Sequence, residues 1–244
     1  MQQLRDFSRG VVELIFPNTC WICESSATEI DQFRHGLCIA CLNAVTDDPE
    51  HRCLRCGQSL GPHSDSSDGC VACRKVLYGF QSVIRLGKYD GRLREAVLRM
   101  KISGGESLAE NMGRVFGECR QERLLAARST LVVPVPLHWR RSWWRGYNQA
   151  AAVAEQLARS IGEPCACNCL GRVRNTPQQL QPSASARREN VRGAFRMTRG
   201  AKVDGKRILL VDDVMTTGST ASEVSRTLKA AGAAEVTVAV LARR

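Results

Sequence analysis

Two adjacent carboxylates, Asp212 and Asp213, stand between an apolar run and a hydroxyl-rich turn. The run 208–211 is Ile-Leu-Leu-Val, which is typical of a strand buried on both faces. The turn 216–220 precedes a helical pattern, so its backbone N–H groups can converge on a phosphate that the helix dipole also favours. Two neighbouring carboxylates can accept hydrogen bonds from vicinal sugar hydroxyls. The predicted phosphate-binding residues are Thr216, Thr217, Gly218, Ser219 and Thr220.

The simpler alternative is a strand, a turn and a helix that carry an acidic pair on the surface. The full order of strand, paired acids, Thr-Thr-Gly-Ser-Thr turn and helix favours the phosphate site. This order also resembles the motif with which type I phosphoribosyltransferases bind phosphoribosyl diphosphate (PRPP).

A second segment, 134–149, reads PVPLHWRRSWWRGYNQ and connects a predicted strand to a predicted helix. In a phosphoribosyltransferase, such a segment is the loop that binds the diphosphate, and Arg145 would bind its oxygens with two nitrogens. His138 is interpreted as a hydrogen-bonded structural residue rather than as an acid or base.

The same segment interleaves Trp139, Trp143 and Trp144 with Arg140 and Arg141. Large aromatic side chains are mostly structural, so the favoured interpretation packs the tryptophans against the cysteine-rich part of the chain. The alternative hypothesis is a stacking surface for single-stranded nucleic acid formed by Arg140, Arg141, Trp143 and Trp144.

Eight of the twelve cysteines form four C-x-x-C pairs in the first third of the chain. Reduced thiols at this spacing predict two tetrahedral zinc sites, which are structural because four sulfurs leave no position for water. Sequential pairing of the four motifs is favoured, and an interleaved pairing stays open. The predicted ligands are Cys20, Cys23, Cys38, Cys41, Cys53, Cys56, Cys70 and Cys73.

Four further cysteines stand apart from these pairs. Cys165, Cys167 and Cys169 alternate with period two, which predicts three thiols on one face of a strand, more simply as small buried side chains than as a metal cluster. Cys119 is predicted to lie in the core of a helical layer.

Charge divides the 244 residues unevenly. Residues 1–80 hold seven basic and ten acidic side chains, a net charge of −3, whereas residues 81–244 hold 28 and 14, a net charge of +14. The basic excess suits a polyphosphate or a nucleic acid.

No apolar run approaches the ~18 residues of a membrane span, and the N-terminus is not typical of a secretory signal. We therefore expect a cytoplasmic protein without membrane insertion.

The fold class predicted is α/β, a parallel sheet flanked by helices, preceded by a small cysteine-rich zinc ribbon-like module. The domains are residues 1–80, which depend on metal because they contain little apolar surface, and residues 81–244. Ligands are expected at the carboxyl ends of the strands. The predicted strands are 82–89, 130–133, 195–197, 208–211 and 236–241, and the helices are 91–101, 106–127, 147–161 and 219–231.

Four motifs together resemble the ComF family over nearly the whole chain. In order, they are the C-x-x-C quartet, PVPLH…RGYNQ, NTPQQ…RRENVRGAF and VDDVMTTGST. The resemblance implies a double zinc ribbon-like module joined to a type I phosphoribosyltransferase fold, with Mg²⁺ accompanying PRPP. It also implies a link to the uptake of transforming DNA in competent bacteria.

Carried over by position, Asp212 and Asp213 resemble the ribose ligands, and Lys101 and Arg145 resemble further PRPP contacts. A flexible lid is implied for the polar segment that contains Thr176, Gln179, Arg187 and Asn190. Pro182 and Ala186 stand where the family has leucine and glutamate.

Three functions share these binding parts, and no catalytic residue is assigned. The preferred hypothesis is a PRPP-binding, phosphoribosyltransferase-like protein that handles single-stranded DNA, with DNA-uptake proteins as partners. The alternatives are an active phosphoribosyltransferase on an unidentified acceptor and a PRPP-sensing regulator without turnover. A related phosphosugar is an alternative ligand to PRPP.

Overall fold

The protein is described here by a computed structural model of residues 19–26, 33–48, 51–62, 64, 69–174 and 184–244. The strands are β1 (Phe33–Arg34), β2 (Leu37–Cys38), β3 (Ser82–Lys88), β4 (Leu131–Pro134), β5 (Leu170–Arg172), β6 (Phe195–Met197), β7 (Arg207–Met215) and β8 (Glu235–Arg243). The helices are α1 (Ile39–Thr46), α2 (Gly91–Arg99), α3 (Glu106–Cys119), α4 (Gln121–Ala126), α5 (Trp139–Arg145), α6 (Gln149–Ile161), α7 (Ala184–Val191) and α8 (Ser219–Ala230).

The central sheet has four parallel strands in the order β3-β8-β7-β4. Alternate residues of β7 face opposite layers, as the pleat of a strand requires. Leu209 and Val211 pack with α2, α3 and α6, while Ile208 and Leu210 pack with α8 and the antiparallel pair of β5 and β6. The predicted parallel sheet flanked by helices is confirmed.

The structure corrects the prediction for two groups of cysteines. Cys165 makes an isolated bridge to Val132, the chain turns at Cys167, and β5 begins only at Leu170, so the three alternating thiols do not share a strand face. Cys119 is exposed, because it is the last residue of α3 and lies beyond the buried stripe of that helix.

Helix boundaries also differ from the sequence pattern. The single helix predicted over 106–127 is divided at Arg120, whose φ of −125° lies outside the helical range. The side chain of Arg120 donates to the carbonyl oxygens of Leu86 and Thr46, at 2.7 Å and 3.3 Å, and so ties the break to β3 and to the end of α1.

Eight thiols form two compact clusters before the sheet, in the sequential pairing. Cys20, Cys23, Cys38 and Cys41 make one cluster, and Cys53, Cys56, Cys70 and Cys73 make the other, with the sulfurs of each within 4.8 Å of one another.

The sulfur spacing fits a tetrahedral zinc ion. Four thiolates at about 2.3 Å from zinc lie about 3.8 Å apart. The Sγ atoms of Cys23 and Cys38 are 3.7 Å apart, and those of Cys56 and Cys70 are 3.6 Å apart. The clusters therefore suit two structural zinc ions. The predicted domain boundary between residues 80 and 81 stays a prediction.

A buried ion-pair cluster joins the cysteine-rich module to the sheet. The carboxylate of Asp48, which follows α1, is fully buried and accepts from Arg85 Nε of β3 at 2.8 Å and from Arg52 at 2.9 Å. Arg85 is 1% exposed and also donates to the carbonyl oxygen of Gly57 at 2.6 Å. The cysteine-rich module therefore contributes the buried carboxylate of Asp48, and the sheet contributes the guanidinium of Arg85 that compensates its charge.

Among the described residues, none of the helices combines the length and the apolar character needed to cross a bilayer.

We expect the purified protein to contain two zinc ions per chain, one for each thiol cluster. Cys53→Ser should reduce the content to one ion and unfold much of the surrounding loops, because structural zinc binding is largely folding free energy. Elemental analysis of the folded protein measures the ratio. Cys119→Ser, at an exposed thiol outside both clusters, should retain both ions. A ratio near zero in a folded module contradicts the zinc assignment.

The ion-pair cluster predicts a large stability loss in Arg85→Met. Removing one partner of a buried pair leaves the Asp48 carboxylate less compensated and should lower the free energy of unfolding by ~3–5 kcal/mol, measured by urea titration. Arg34→Met is the matched control, because Arg34 pairs with Glu118 at 2.7 Å while 61% of its side chain is exposed. Its loss should stay below ~1 kcal/mol. Equal losses in free energy of unfolding would contradict this prediction, because the buried ion pair would then stabilise the protein no more than the exposed one.

Candidate functional site

A cleft of about 450 Å³ opens where β4 and β7 end. This is the edge at which parallel α/β sheets bind ligands. The cleft is lined by every described residue that the sequence assigned to the PRPP site or the lid: Lys101, Arg145, Arg187, Asn190, Asp212, Asp213, Thr216, Thr217, Gly218, Ser219 and Thr220. The structure thus brings together residues from four separate parts of the chain.

The acid pair lies at the end of β7 and is held by a defined set of partners. Asp213 Oδ2 accepts from Lys101 Nζ at 2.9 Å and from Gln149 Nε2 at 3.1 Å. Its other carboxylate oxygen accepts from the Val214 amide, and Asp212 Oδ1 accepts from the Asp213 amide. The carboxylates are therefore preoriented before any ligand arrives.

The two carboxyl groups differ in their ionisation. Burial, followed by the negative charge of Asp213, raises the pKa of Asp212 well above its ordinary value. Burial also opposes ionisation of Asp213, but the charge of Lys101 and the hydrogen bonds from Lys101, Asp212 and Gln149 outweigh it, so the pKa of Asp213 is lowered. Asp213 is thus the stably ionised member of the pair.

Lys101 reaches the acid pair because the turn after α2 is fixed. The Tyr147 hydroxyl donates to the carbonyl oxygen of Met100. Gly105 closes the turn so tightly that a Cβ there would lie 2.7 Å from the Tyr147 hydroxyl oxygen. The turn and the entry to α6 are consequently packed against each other.

Helix α6 supplies the other contact to the acids. Asn148 caps this helix by accepting from the Ala150 amide at 3.1 Å, which places Gln149 in the first turn. Arg145 Nη1 donates to Gln149 Oε1 at 2.6 Å, so one chain of hydrogen bonds runs from Arg145 through Gln149 to Asp213.

The turn 216–220, named the phosphate turn after its predicted ligand, contains a residue with left-handed backbone. Gly218 has φ +76°, in the left-handed region that glycine adopts without strain, and α8 begins at the next residue. The hydroxyls of Thr217 and Ser219 lie 2.8 Å apart across the turn. Hydroxyls and the amino end of α8 thus meet at one edge of the cleft, where an anion is favoured.

The opposite wall contains a cation that sequence reasoning missed. Arg172 lines the cleft from β5, and its guanidinium lies 5.5 Å from the centre of the Phe195 ring. The sequence placed Arg172 only at the start of a polar segment without periodicity. Its position depends on a bridge between the backbones of His138 and Arg172, which joins segments distant in sequence. Gln149, the last residue of the 134–149 segment, and Arg244 also line the cleft, although neither was predicted to contact a ligand.

The segment predicted to form a flexible lid is described only from residue 184 onwards. Arg187 and Asn190 belong to α7, a helix that the sequence did not predict because the segment has no apolar period. Thr176, Gln179 and Pro182 lie outside the described residues.

The tryptophans do not pack against the zinc-binding module, so the favoured interpretation was wrong. Trp139, Trp143 and Trp144 are 64%, 83% and 88% exposed. They belong to α5, a short helix in the expected loop; His138 before this helix is buried, and Arg145 at its end donates to Gln149. The side chains of Arg140 and Arg141 lie outside the described part of the structure.

Two family models match this chain. Residues 147–244 match the phosphoribosyl transferase domain, and residues 11–77 match the double zinc ribbon domain. Among solved structures, a chain of glutamine PRPP amidotransferase from B. subtilis aligns with 56% of this chain and 26% of its own length, at 27% identity and a TM-score of 0.36. That likeness is too partial to bear on fold or activity.

Curated relatives match nearly end to end. The DNA utilization protein YhgH of Salmonella typhimurium is 33% identical over 236 residues, which cover 94% of this chain and 99% of the relative. Competence protein F of Haemophilus influenzae is 31% identical over 86% of this chain and 91% of its own. Competence protein ComFC of Bacillus subtilis is 25% identical over 92% of each chain. The chain therefore belongs to the ComF family and joins a double zinc ribbon to a phosphoribosyltransferase domain.

Proposed function

We propose that the cleft binds PRPP together with Mg²⁺, and that the protein acts in DNA uptake or utilization by handling single-stranded DNA. The observation that carries the first part is the convergence of an acid pair, a phosphate turn and several cations in one cleft. The relatives' names support the second part, since they are called competence and DNA utilization proteins.

The ribose 5-phosphate half of PRPP suits the β7 side of the cleft. Asp212 and Asp213 supply acceptors for two vicinal hydroxyls, and the 216–220 turn supplies amides and hydroxyls for the phosphate. Because β7 runs directly into this turn, both contacts lie on one continuous piece of backbone. Binding would therefore require little reordering of the chain.

The diphosphate half suits the cationic side. Lys101, Arg145, Arg172, Arg187 and Arg244 line the cleft, whereas two carboxylate side chains occur among its described lining residues. A guanidinium can bind phosphate oxygens in bidentate fashion. Mg²⁺ prefers oxygen ligands and commonly binds through one or two carboxylates and substrate phosphates, which the acid pair and a diphosphate together provide.

Phosphoribosyl transfer is the second candidate function, because the same cations suit a departing diphosphate. Positioning and charge stabilisation supply much of the catalysis when the leaving group is strongly anionic. The acceptor would be an unidentified nucleobase or amine. Release of diphosphate in the presence of such an acceptor would favour this candidate over binding without turnover.

The DNA-handling part is supported by α5 and by charge. Three exposed tryptophans on a helix that also carries arginines provide flat surfaces on which bases stack. The net charge of +14 in residues 81–244 favours a polyanion. Arg145, the last residue of the same helix, lines the cleft.

Asp213→Asn should weaken PRPP binding in the presence of Mg²⁺ by roughly 10- to 150-fold, since a charged acceptor is lost from a buried site. Isothermal titration calorimetry measures the affinity. The matched control is Glu122→Gln, which makes the same charge change at an exposed position on α4. Unchanged affinity in Asp213→Asn, or no PRPP binding by the parent, would contradict the proposed site.

Trp143→Ala and Trp144→Ala should each weaken binding of a short oligothymidine by ~1–3 kcal/mol if the rings stack on bases. Their high exposure means that thermal stability should not change. Fluorescence anisotropy at several salt concentrations gives the affinity, with a slope of log affinity against log salt near −2.8 if ~4 phosphates are neutralised.

The control is Leu125→Ala, which removes an exposed apolar side chain from α4. Equal weakening in the control would mean that the loss is unspecific. Absence of DNA binding at low salt would remove the DNA-handling part of the proposal.

A further inference from the structure

The second thiol cluster lies against the phosphate turn. Tyr78 packs on the Cys53/Cys56/Cys70/Cys73 group, and its hydroxyl lies 3.4 Å from the carbonyl oxygen of Thr217, to which it donates. Phe80 stacks on the Tyr78 ring, with the centroids 4.5 Å apart. Tyr78 and Phe80, which follow the cluster in the chain, thus form a stacked aromatic pair beneath the turn, the aromatic floor.

The turn and this floor fit each other closely. A Cβ built on Gly218 would lie 3.1 Å from Tyr78 Cε1 and 3.5 Å from Phe80 Cζ. Gly218 also has the positive φ that reverses the chain into α8. The backbone of the turn therefore rests directly on the Tyr78 ring, and a shift of the ring would displace the turn.

Arg243 makes a second connection between the cluster and the turn. This side chain is buried, donates from Nε to the carbonyl oxygen of Cys56 at 2.9 Å, and donates from Nη1 to that of Met215 at 3.2 Å. Cys56 belongs to the cluster, and Met215 is the residue before the turn. A single guanidinium consequently fixes the separation between the two.

Arg55 makes the Tyr78 position depend on the folded cluster. It donates to the carbonyl oxygens of Cys73 and Val76, at 3.1 Å and 2.8 Å, and its guanidinium lies 6.0 Å from the centre of the Tyr78 ring. The loops that hold the thiols therefore also hold the aromatic floor. The first cluster contacts other elements: Glu24 beside it pairs with Arg99 of α2 at 2.7 Å.

We propose that Tyr78 and Arg243 are positioning residues through which the second thiol cluster holds the phosphate turn in its binding conformation. Metal occupancy of that cluster then controls the affinity of the cleft for phosphate groups. The inference rests on the proposed function for its ligand, but the contacts that carry it exist without a ligand. It makes the double zinc ribbon part of the ligand site rather than a separate appendage.

The first test is PRPP affinity in the presence of Mg²⁺, measured by calorimetry on the full chain. Tyr78→Ala and Arg243→Met should each weaken binding by about tenfold or more, since misplacement of a binding loop is costly. Tyr78→Phe retains the ring and loses only a long hydrogen bond, so its affinity should stay within about threefold of the parent.

The matched control is Arg120→Met. Arg120 also ties the cysteine-rich module to the sheet, through the carbonyl oxygens of Thr46 and Leu86, but it contacts neither the second cluster nor the turn. This variant should lose stability and keep the parent affinity. A loss in Arg120→Met equal to that in Arg243→Met would overturn the proposal, because general destabilisation would then explain both.

Hydrogen exchange of the 216–220 amides in the ligand-free protein separates this inference from the proposed function. Cys70→Ser, Tyr78→Ala and Arg243→Met should speed exchange there, whereas Arg120→Met should not. If the parent fails to bind PRPP, the proposed function is wrong, yet the exchange data still decide the coupling. Unchanged exchange in Cys70→Ser, with elemental analysis showing one zinc lost, would overturn it.

Discussion

The contact between Lys101 and Asp213 is the interaction on which the site depends. Two adjacent carboxylates at the end of β7 repel each other, and burial raises the cost of ionising both. The 2.9 Å contact to Lys101 keeps one of them charged. That contact joins the end of α2 to the end of β7, and Gln149 adds the start of α6. Asp213 of β7 therefore brings the end of α2 and the start of α6 together, because its charge is stabilised by Lys101 and Gln149.

The cysteine-rich module and the sheet need each other for a similar reason. The second thiol cluster forms a small core of its own with Leu60 and Tyr78, whereas Cys20 and Cys41 of the first cluster join the main apolar core of the protein. Where the module meets the sheet, Ile22, Leu37 and Val45 belong to the same apolar core as Leu86 of β3, and Asp48 makes a buried ion pair with Arg85 of β3. An uncompensated partner on either side would be strongly destabilising. The two parts are therefore coupled in stability, while the contacts of Tyr78 and Arg243 couple them at the cleft.

Sequence reasoning succeeded where local pattern determines structure. The buried strand, the acid pair, the glycine turn and the following helix lie within 25 residues, and each part has its own propensity signal. It missed Arg172 and α7, because their places depend on a backbone bridge to His138 and on packing against α8. It misread Cys165–Cys169 because alternation over five residues is also compatible with a turn. The tryptophans were predicted to be buried because of their residue type alone, whereas the fold leaves their helix, α5, on the surface.

The position of α5 relates the two halves of the proposed function. Arg145 ends this helix, lines the cleft and donates to Gln149, which in turn donates to Asp213. Trp144 is its neighbour in the chain and is almost fully exposed. Because adjacent residues of one helix share a rigid backbone, a ligand that fixes Arg145 also restricts the aromatic surface beside it. A diphosphate in the cleft and a nucleic-acid strand on α5 would therefore act on the same seven-residue helix.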